Sequence, residues 1–192
     1  NDRYLIRSPG DNVVELAGEG NDAVLAFRSY ALDAHVEQLF MQTVRTRDGN
    51  PTELNGIGNA LDNTIVGTPF DNTIIGREGR DTLKGPRGAD TFVFDRAIGS
   101  DNVDRIIDFN TNEVDEGDIL KLKASEFAGL TSGALDADAF TAGTAALDAS
   151  DRFIFDQASG QLWFDEDGTG VIDQILIATF EQGAIVTDTD IE

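Results

Sequence analysis

Between residues 58 and 93 the large apolar side chains recur every nine residues, a spacing that fits neither a lone strand nor a helix. The four segments read GNALDNTIV, GTPFDNTII, GREGRDTLK and GPRGADTFV, and they open at Gly58, Gly67, Gly76 and Gly85. Their eighth position is always large and apolar (Ile65, Ile74, Leu83, Phe92), and their seventh is always threonine (Thr64, Thr73, Thr82, Thr91). Their sixth is a short carboxylate or its amide (Asn63, Asn72, Asp81, Asp90). Positions seven to nine alternate out–in–out like a short strand, so the eighth residue faces an interior. The six residues before them must reverse the chain, and a first-position glycine allows the left-handed or close-approach backbone this needs. A fixed period with one buried side chain per repeat predicts a stacked solenoid.

The pattern is looser outside this block. Residues 1–55 predict irregular solenoid turns, with strands around Tyr4–Ile6, Val13–Leu16 and Ala23–Phe27. Residues 46–51 (TRDGNP) read as a loop. Residues 56–94 form the regular roll, and 95–123 are expected to close it and turn onto a new sheet. Residues 124–150 are rich in Ala, Gly, Thr and Asp and predict long loops with a short helical turn at Ala124–Phe127. Residues 151–186 predict two or three antiparallel strands, with Asp167–Gly170 (DGTG) as a hairpin turn. The expected units are therefore 1–55, 56–94 and 95–192.

Charge changes this picture from a bare scaffold to a cation-dependent one. The net charge is −22, with 14 acids against 9 bases in residues 1–94 and 22 against 5 in residues 95–192. Such self-repulsion opposes compaction unless cations neutralise it, and it argues against nucleic acid as a partner. The tight turns leave carbonyl oxygens facing one another, and the sixth-position acids add negative charge among them. Calcium is hard, takes six to eight oxygens and tolerates irregular geometry, so it suits such a nest. An apolar content of 40% with 12 Phe supports a packed core once ions are present. There is no cysteine, so bound metal would replace covalent staples. No apolar run is long enough to span a membrane. No signal peptide is visible, and the opening NDRYLI echoes the later ADTFVF, which predicts a piece of a longer protein.

The repeats resemble the calcium-binding nonapeptide G-G-x-G-x-D-x-U-x of RTX (hemolysin-type) proteins. Gly76–Lys84 and Gly85–Val93 match it at positions one, four, six and eight, and Ala17–Leu25 (AGEGNDAVL) matches at two, four, six and eight. ADTFVF, DRIIDF (Asp104–Phe109) and GDILKL (Gly117–Leu122) look like the exit from such a roll, and Asp151–Gly170 followed by ILIATF resembles the C-terminal part of serralysin-like, type I-secreted proteins. The resemblance also implies that SYALDAHVEQLFMQTV forms strands around a turn at Leu32–His35 rather than a helix. It implies an all-β fold, a right-handed parallel β-roll continuing into a C-terminal antiparallel β unit. Ions would lie between repeats i and i+2, pairing Asn63 with Asp81 and Asn72 with Asp90. Implied ligands are those four residues, Asp22, and loop groups of Gly76, Glu78, Gly79, Gly85, Arg87 and Gly88. Asp104 and Asp108 flank an apolar strand and could end the ion row. The family pattern is incomplete: Asn59, Thr68, Arg77 and Pro86 replace the second glycine, and Leu61 and Phe70 replace the fourth in the first two repeats. The implied function is a non-catalytic module that folds on extracellular Ca²⁺ and supports type I secretion of a larger bacterial protein, with the secretion machinery as partner. The acidic tail Val186–Glu192 resembles the end of such an export signal but lacks the usual terminal aliphatic residues.

Other chemistry is thinner. His35 is the only histidine, too few for a zinc site of the serralysin kind. No nucleophile elbow or P-loop is present. Asp165 and Asp167 could hold calcium beside the DGTG turn, although a hairpin with solvated acids is the simpler reading. Arg77, Arg80, Lys84 and Arg87 form the one basic cluster. It balances nearby carboxylates, or alternatively Arg77, Arg80 and Arg87 line an adhesin-like cleft for an acidic extracellular polysaccharide.

Overall fold

The nine-residue period becomes an alternation of the chain between two sheets. The structure is a computed structural model that describes residues 1–50, 52–109 and 117–192. Pro51 of the expected 46–51 loop and residues 110–116 of the expected closing segment lie outside the described residues. The strands are β1 (Arg3–Ile6), β2 (Ala23–Ala26), β3 (Tyr30–Ala31), β4 (Gln38–Met41) and β5 (Leu54–Ile57). The repeats supply β6 (Thr64–Val66), β7 (Asn72–Ile75), β8 (Thr82–Lys84) and β9 (Thr91–Phe94). They are followed by β10 (Asp104–Ile107), β11 (Ile119–Leu122), β12 (Phe140–Ala142), β13 (Phe153–Asp156), β14 (Gln161–Phe164) and β15 (Ile175–Phe180). One sheet has the order β1-β2-β4-β6-β8-β10-β15-β14-β13-β12, and the other β11-β9-β7-β5-β3. From β2 to β11 the chain steps from one sheet to the other, and neighbours within each sheet are parallel. This is the β-roll. Among the described residues the only helical segments are short 3₁₀ turns.

Register stacks the eighth-position residues into two internal columns. Leu39, Ile65, Leu83 and Ile106 are successive partners in the first sheet, and Ile74, Phe92 and Leu120 in the second. All seven are fully buried. The threonines stand half-buried on the outer faces, with Thr64 beside Thr82 and Thr73 beside Thr91. One residue of the second column is Gly56, where Ile65 and the Met41 thioether already fill the space a side chain would need.

The expected β6–β9 block is present, as are strands on either side of the Ala34–His35 turn and the turn at Ala124–Glu126. Three expectations change. Val13–Leu16 is not a strand: the Val13 N–H donates to the Asp33 carboxylate at 3.1 Å instead of to a neighbouring strand, although Val13 is still buried. Residues 95–123 do not open a new sheet, because β10 and β11 each add one parallel strand to a sheet already there. The C-terminal strands β13, β14 and β15 are antiparallel as expected, yet β15 pairs parallel with β10 and so continues the first sheet. An unexpected β12 lies parallel to β13.

Phenylalanines fill the end of the roll. Phe109 meets Phe92 at 6.1 Å and Phe180 at 5.2 Å, and Phe155 meets Phe180 at 5.7 Å between ring centroids. Phe127, Phe153 and Phe164 form a second group. The last residues fold back: Ile191 is buried and bridges to Leu120, and the Glu192 carboxylate pairs with Lys121 at 3.0 Å. Truncating one column residue removes contacts from both neighbouring coils. Ile65→Ala should cost roughly 3 kcal/mol in denaturant unfolding in calcium, against less than about 0.5 kcal/mol for outward Thr64→Ala.

Candidate metal centre

Strands β6 to β9 are each entered through a residue whose main-chain N–H points along the stack toward the next coil. In the repeats this is position six, and the acceptor is the sixth-position side chain of the following coil. The Asn63 N–H donates to Asp81 Oδ1 at 2.7 Å, and the Asp81 N–H to Asp104 Oδ1 at 3.1 Å. On the opposite rim the Asn72 N–H donates to Asp90 Oδ1 at 2.8 Å, and the Asp90 N–H to Asp118 Oδ1 at 2.9 Å. Asn63 and Asp81 are thus neighbours along one rim, and Asn72 and Asp90 along the other. The first rim extends backwards, where the Asp22 N–H donates to Glu37 Oε2 at 2.8 Å and the Asp2 N–H donates to Asp22 Oδ1.

These side chains are deeply enclosed. Asp22, Asn63, Asn72, Asp81, Asp90, Asp104 and Asp118 are all buried. The first-position glycines make the enclosure possible, because a Cβ at Gly58, Gly67, Gly76 or Gly85 would collide with the sixth side chain of its own repeat. Gly79 and Gly88 do a different job. Their backbones are left-handed (φ 109° and 98°) and lie against Leu61–Asp62 and Phe70–Asp71 of the coil before. Arg77 takes a left-handed φ of 77° where the repeat pattern has glycine, a conformation that strains an L side chain.

Burial raises the cost of ionising these acids. Desolvation pushes the Asp81 carboxyl up from 3.8 to about 7; its hydrogen bond from Asn63 opposes this, and the charges of Asp62 and Glu78 add to it. Asp104 is also raised, by burial first and by the Asp81 charge second. Asp81 is 1% exposed and its Oδ2 has no hydrogen-bond partner. An orphaned, buried carboxylate oxygen in a glycine-lined cradle fits an oxygen-seeking cation. These residues fit calcium: Asp81, with Asp104 next along the rim and the loop carbonyls around them, would hold it.

The remaining candidates sort by position. Asp22 gains partners that the sequence did not reveal: carboxylate oxygens of Asp2, Glu15 and Asp22 lie within 4.8 Å of one another. There Glu15 accepts the Tyr4 hydroxyl, which holds the phenol up at about 12. Asp104 joins the buried row, but Asp108 does not. It sits at the far end of β10 with φ 61° and pairs with Lys84 at 2.7 Å. The Glu78 side chain is half-exposed and pairs with Arg96 at 2.9 Å. Asp165 is buried and accepts the Asp167 N–H at 3.1 Å, and Asp167 accepts the Val171 N–H at 2.8 Å, so both cap the hairpin turn. His35 is exposed in its turn with φ 68°.

The arginines do not converge. Arg77 and Arg80 lie in the turn from β7 to β8, and Arg87 in the turn from β8 to β9 on the opposite rim. Arg80 Nη2 donates to the Ser100 carbonyl at 2.6 Å. Sequence reasoning missed half-buried Glu37 and buried Asp118, which belong to the rim rows, and the fifth-position acids Asp62 and Asp71. The latter accept the N–H groups of Arg80 and Ala89, two repeats on, at 2.8 and 2.9 Å. Their signal was the Asp-Asn pair that repeats one and two share.

Comparison with known protein families finds the RTX calcium-binding nonapeptide repeat in four copies over residues 57–92. A comparison with curated proteins finds no match. The match marks residues 57–92 as calcium-binding repeats, and the strands they form build a β-roll. No helix among the described residues is long and apolar enough to cross a membrane.

Because the native Asp81 carboxyl titrates near 7 and the unfolded one near 3.8, the metal-free native state binds the extra proton between those values. In chelator, stability should therefore fall as pH rises from 4 to 7. Calcium requires the ionised carboxylate, so calcium-loaded protein should show the opposite trend. Thermal melts at pH 5 and 7, with and without calcium, check both signs.

Proposed function

We propose that this RTX-repeat chain is a non-catalytic folding module that responds to extracellular calcium and supports type I export of a larger bacterial protein. The observation that carries this reading is the Asp81 carboxylate, buried beside Asp104 with one oxygen unpartnered. Two buried acids in one rim oppose folding unless a cation joins them. An ion that binds only the folded state adds stability of RT ln(1 + [L]/Kd). Extracellular calcium modules bind at roughly 10⁻⁴–10⁻³ M, so such a chain stays unfolded where calcium is scarce and folds where it is abundant.

The export part rests on resemblance. Asp151–Gly170, ILIATF and the acidic tail Val186–Glu192 look like the C-terminal region of serralysin-like secreted proteins. A chain that must pass a narrow channel benefits from staying unfolded until it emerges, and net repulsion of −22 keeps it so without calcium. The acidic-polysaccharide reading finds less support, because Arg77 and Arg80 lie in a turn on one rim of the roll and Arg87 in a turn on the other.

Asp81→Ala combined with Asp90→Ala should raise the calcium midpoint for folding by on the order of tenfold, the equivalent of about 1.4 kcal/mol. A circular dichroism titration reads the midpoint. An unchanged midpoint would remove these two carboxylates from the site. Loss of type I export of an upstream-fused reporter on deleting residues 151–192 would support the secretory role, and unchanged export would count against it.

A further inference from the structure

The four repeats seal their sixth-position side chains in two different ways. In the first two, the second-position N–H turns inward and donates to the amide oxygen: Asn59 to Asn63 Oδ1 at 2.7 Å, and Thr68 to Asn72 Oδ1 at 2.6 Å. The amide nitrogen then reaches the carbonyls of the preceding coil. Asn63 Nδ2 donates to the Val36 carbonyl at 3.2 Å, and Asn72 Nδ2 to the Leu54 carbonyl at 2.9 Å. One neutral side chain satisfies donors and acceptors together, which an amide can do and a carboxylate cannot. Among those carbonyl oxygens the NH₂ group supplies the positive end that a cation would otherwise supply.

Repeats three and four lack this seal. Their sixth residues are aspartates, which once ionised have no hydrogen to offer the carbonyls. Their second residues differ as well: Pro86 has no N–H, and Arg77 adopts the left-handed φ of 77° and leaves Asp81 Oδ2 without a donor. The rims then continue to acids, Asp104 and Asp118.

We infer that the roll contains two classes of rung: amide-sealed rungs at Asn63 and Asn72 that need no metal, and cation-dependent rungs running from Asp81 to Asp104 and from Asp90 to Asp118. The coils from β4 to β7 therefore fold without calcium, and calcium orders the later coils onto them. Asp62 and Asp71 prepare that template, because each already offers an acceptor to the loop two repeats on. This rests on the calcium reading above and adds a polarity to it.

Hydrogen exchange of the whole chain in chelator and in millimolar calcium tests the division. In chelator, β4–β7 should exchange on the order of tenfold more slowly than β8–β11, and calcium should protect mainly the latter. Asn63→Asp with Asn72→Asp should abolish the metal-free protection, restore it in calcium, and raise the number of ions bound in equilibrium dialysis. Equal exposure of both halves in chelator would overturn the inference, as would unchanged stoichiometry in the double variant, while leaving calcium binding intact. Absence of any calcium uptake by the wild-type chain would instead overturn the calcium reading and this inference with it.

Discussion

The stacking of the repeats depends on one main-chain N–H per half-coil. It lies at the entry to a strand, inside the turn, where water does not reach it. Leaving such a donor unpaired is costly, so the next coil must bring an acceptor side chain to it. That requirement places Asp81 under Asn63, Asp104 under Asp81, Asp90 under Asn72 and Asp118 under Asp90. It also explains the first-position glycines, since any side chain there would occupy the acceptor's place. The acceptors that stack the coils are in part carboxylates, and burying them creates the demand for a cation. Stacking and metal binding are two consequences of the same contact.

The C-terminal strands take part in that contact. β10 and β11 carry the acids that receive the Asp81 and Asp90 N–H groups, and their apolar residues Ile106 and Leu120 lengthen the two internal columns. β15 then lies beside β10, and the phenylalanines behind it close the hydrophobic interior. A solenoid must end somewhere, and an open end exposes both the column and the unpaired strand edge. Here β15 covers the β10 edge of the first sheet, and the chain end bridges through Ile191 to Leu120 of β11 in the second.

The period made the central part legible. Spaced by 18 residues, Asn63 and Asp81 fall on one rim, and so do Asn72 and Asp90. Asp118 and Glu37 escaped because their turns are not nine residues long. The step from Asp90 to Asp118 is 28 residues and that from Asp22 to Glu37 is 15, so no fixed period reaches them. Asp104, at 23 residues from Asp81, was found only because it opens an apolar strand. Asp108 misled for the same reason. It closes that strand, but a left-handed backbone carries it outward to Lys84. Val13–Leu16 alternates like a strand, yet the Val13 N–H is taken by the Asp33 side chain, a competition that local pattern does not encode.

The coupling of coil stacking to metal requires a cation to meet the buried Asp81 carboxylate. A crystal structure of the protein grown in millimolar calcium addresses this directly. An ion with anomalous signal is expected at about 2.3–2.6 Å from Asp81 Oδ2, with six to eight oxygens around it. An ion-free site at saturating calcium, with Asp81 Oδ2 hydrogen-bonded to a protein donor or to water, would contradict it.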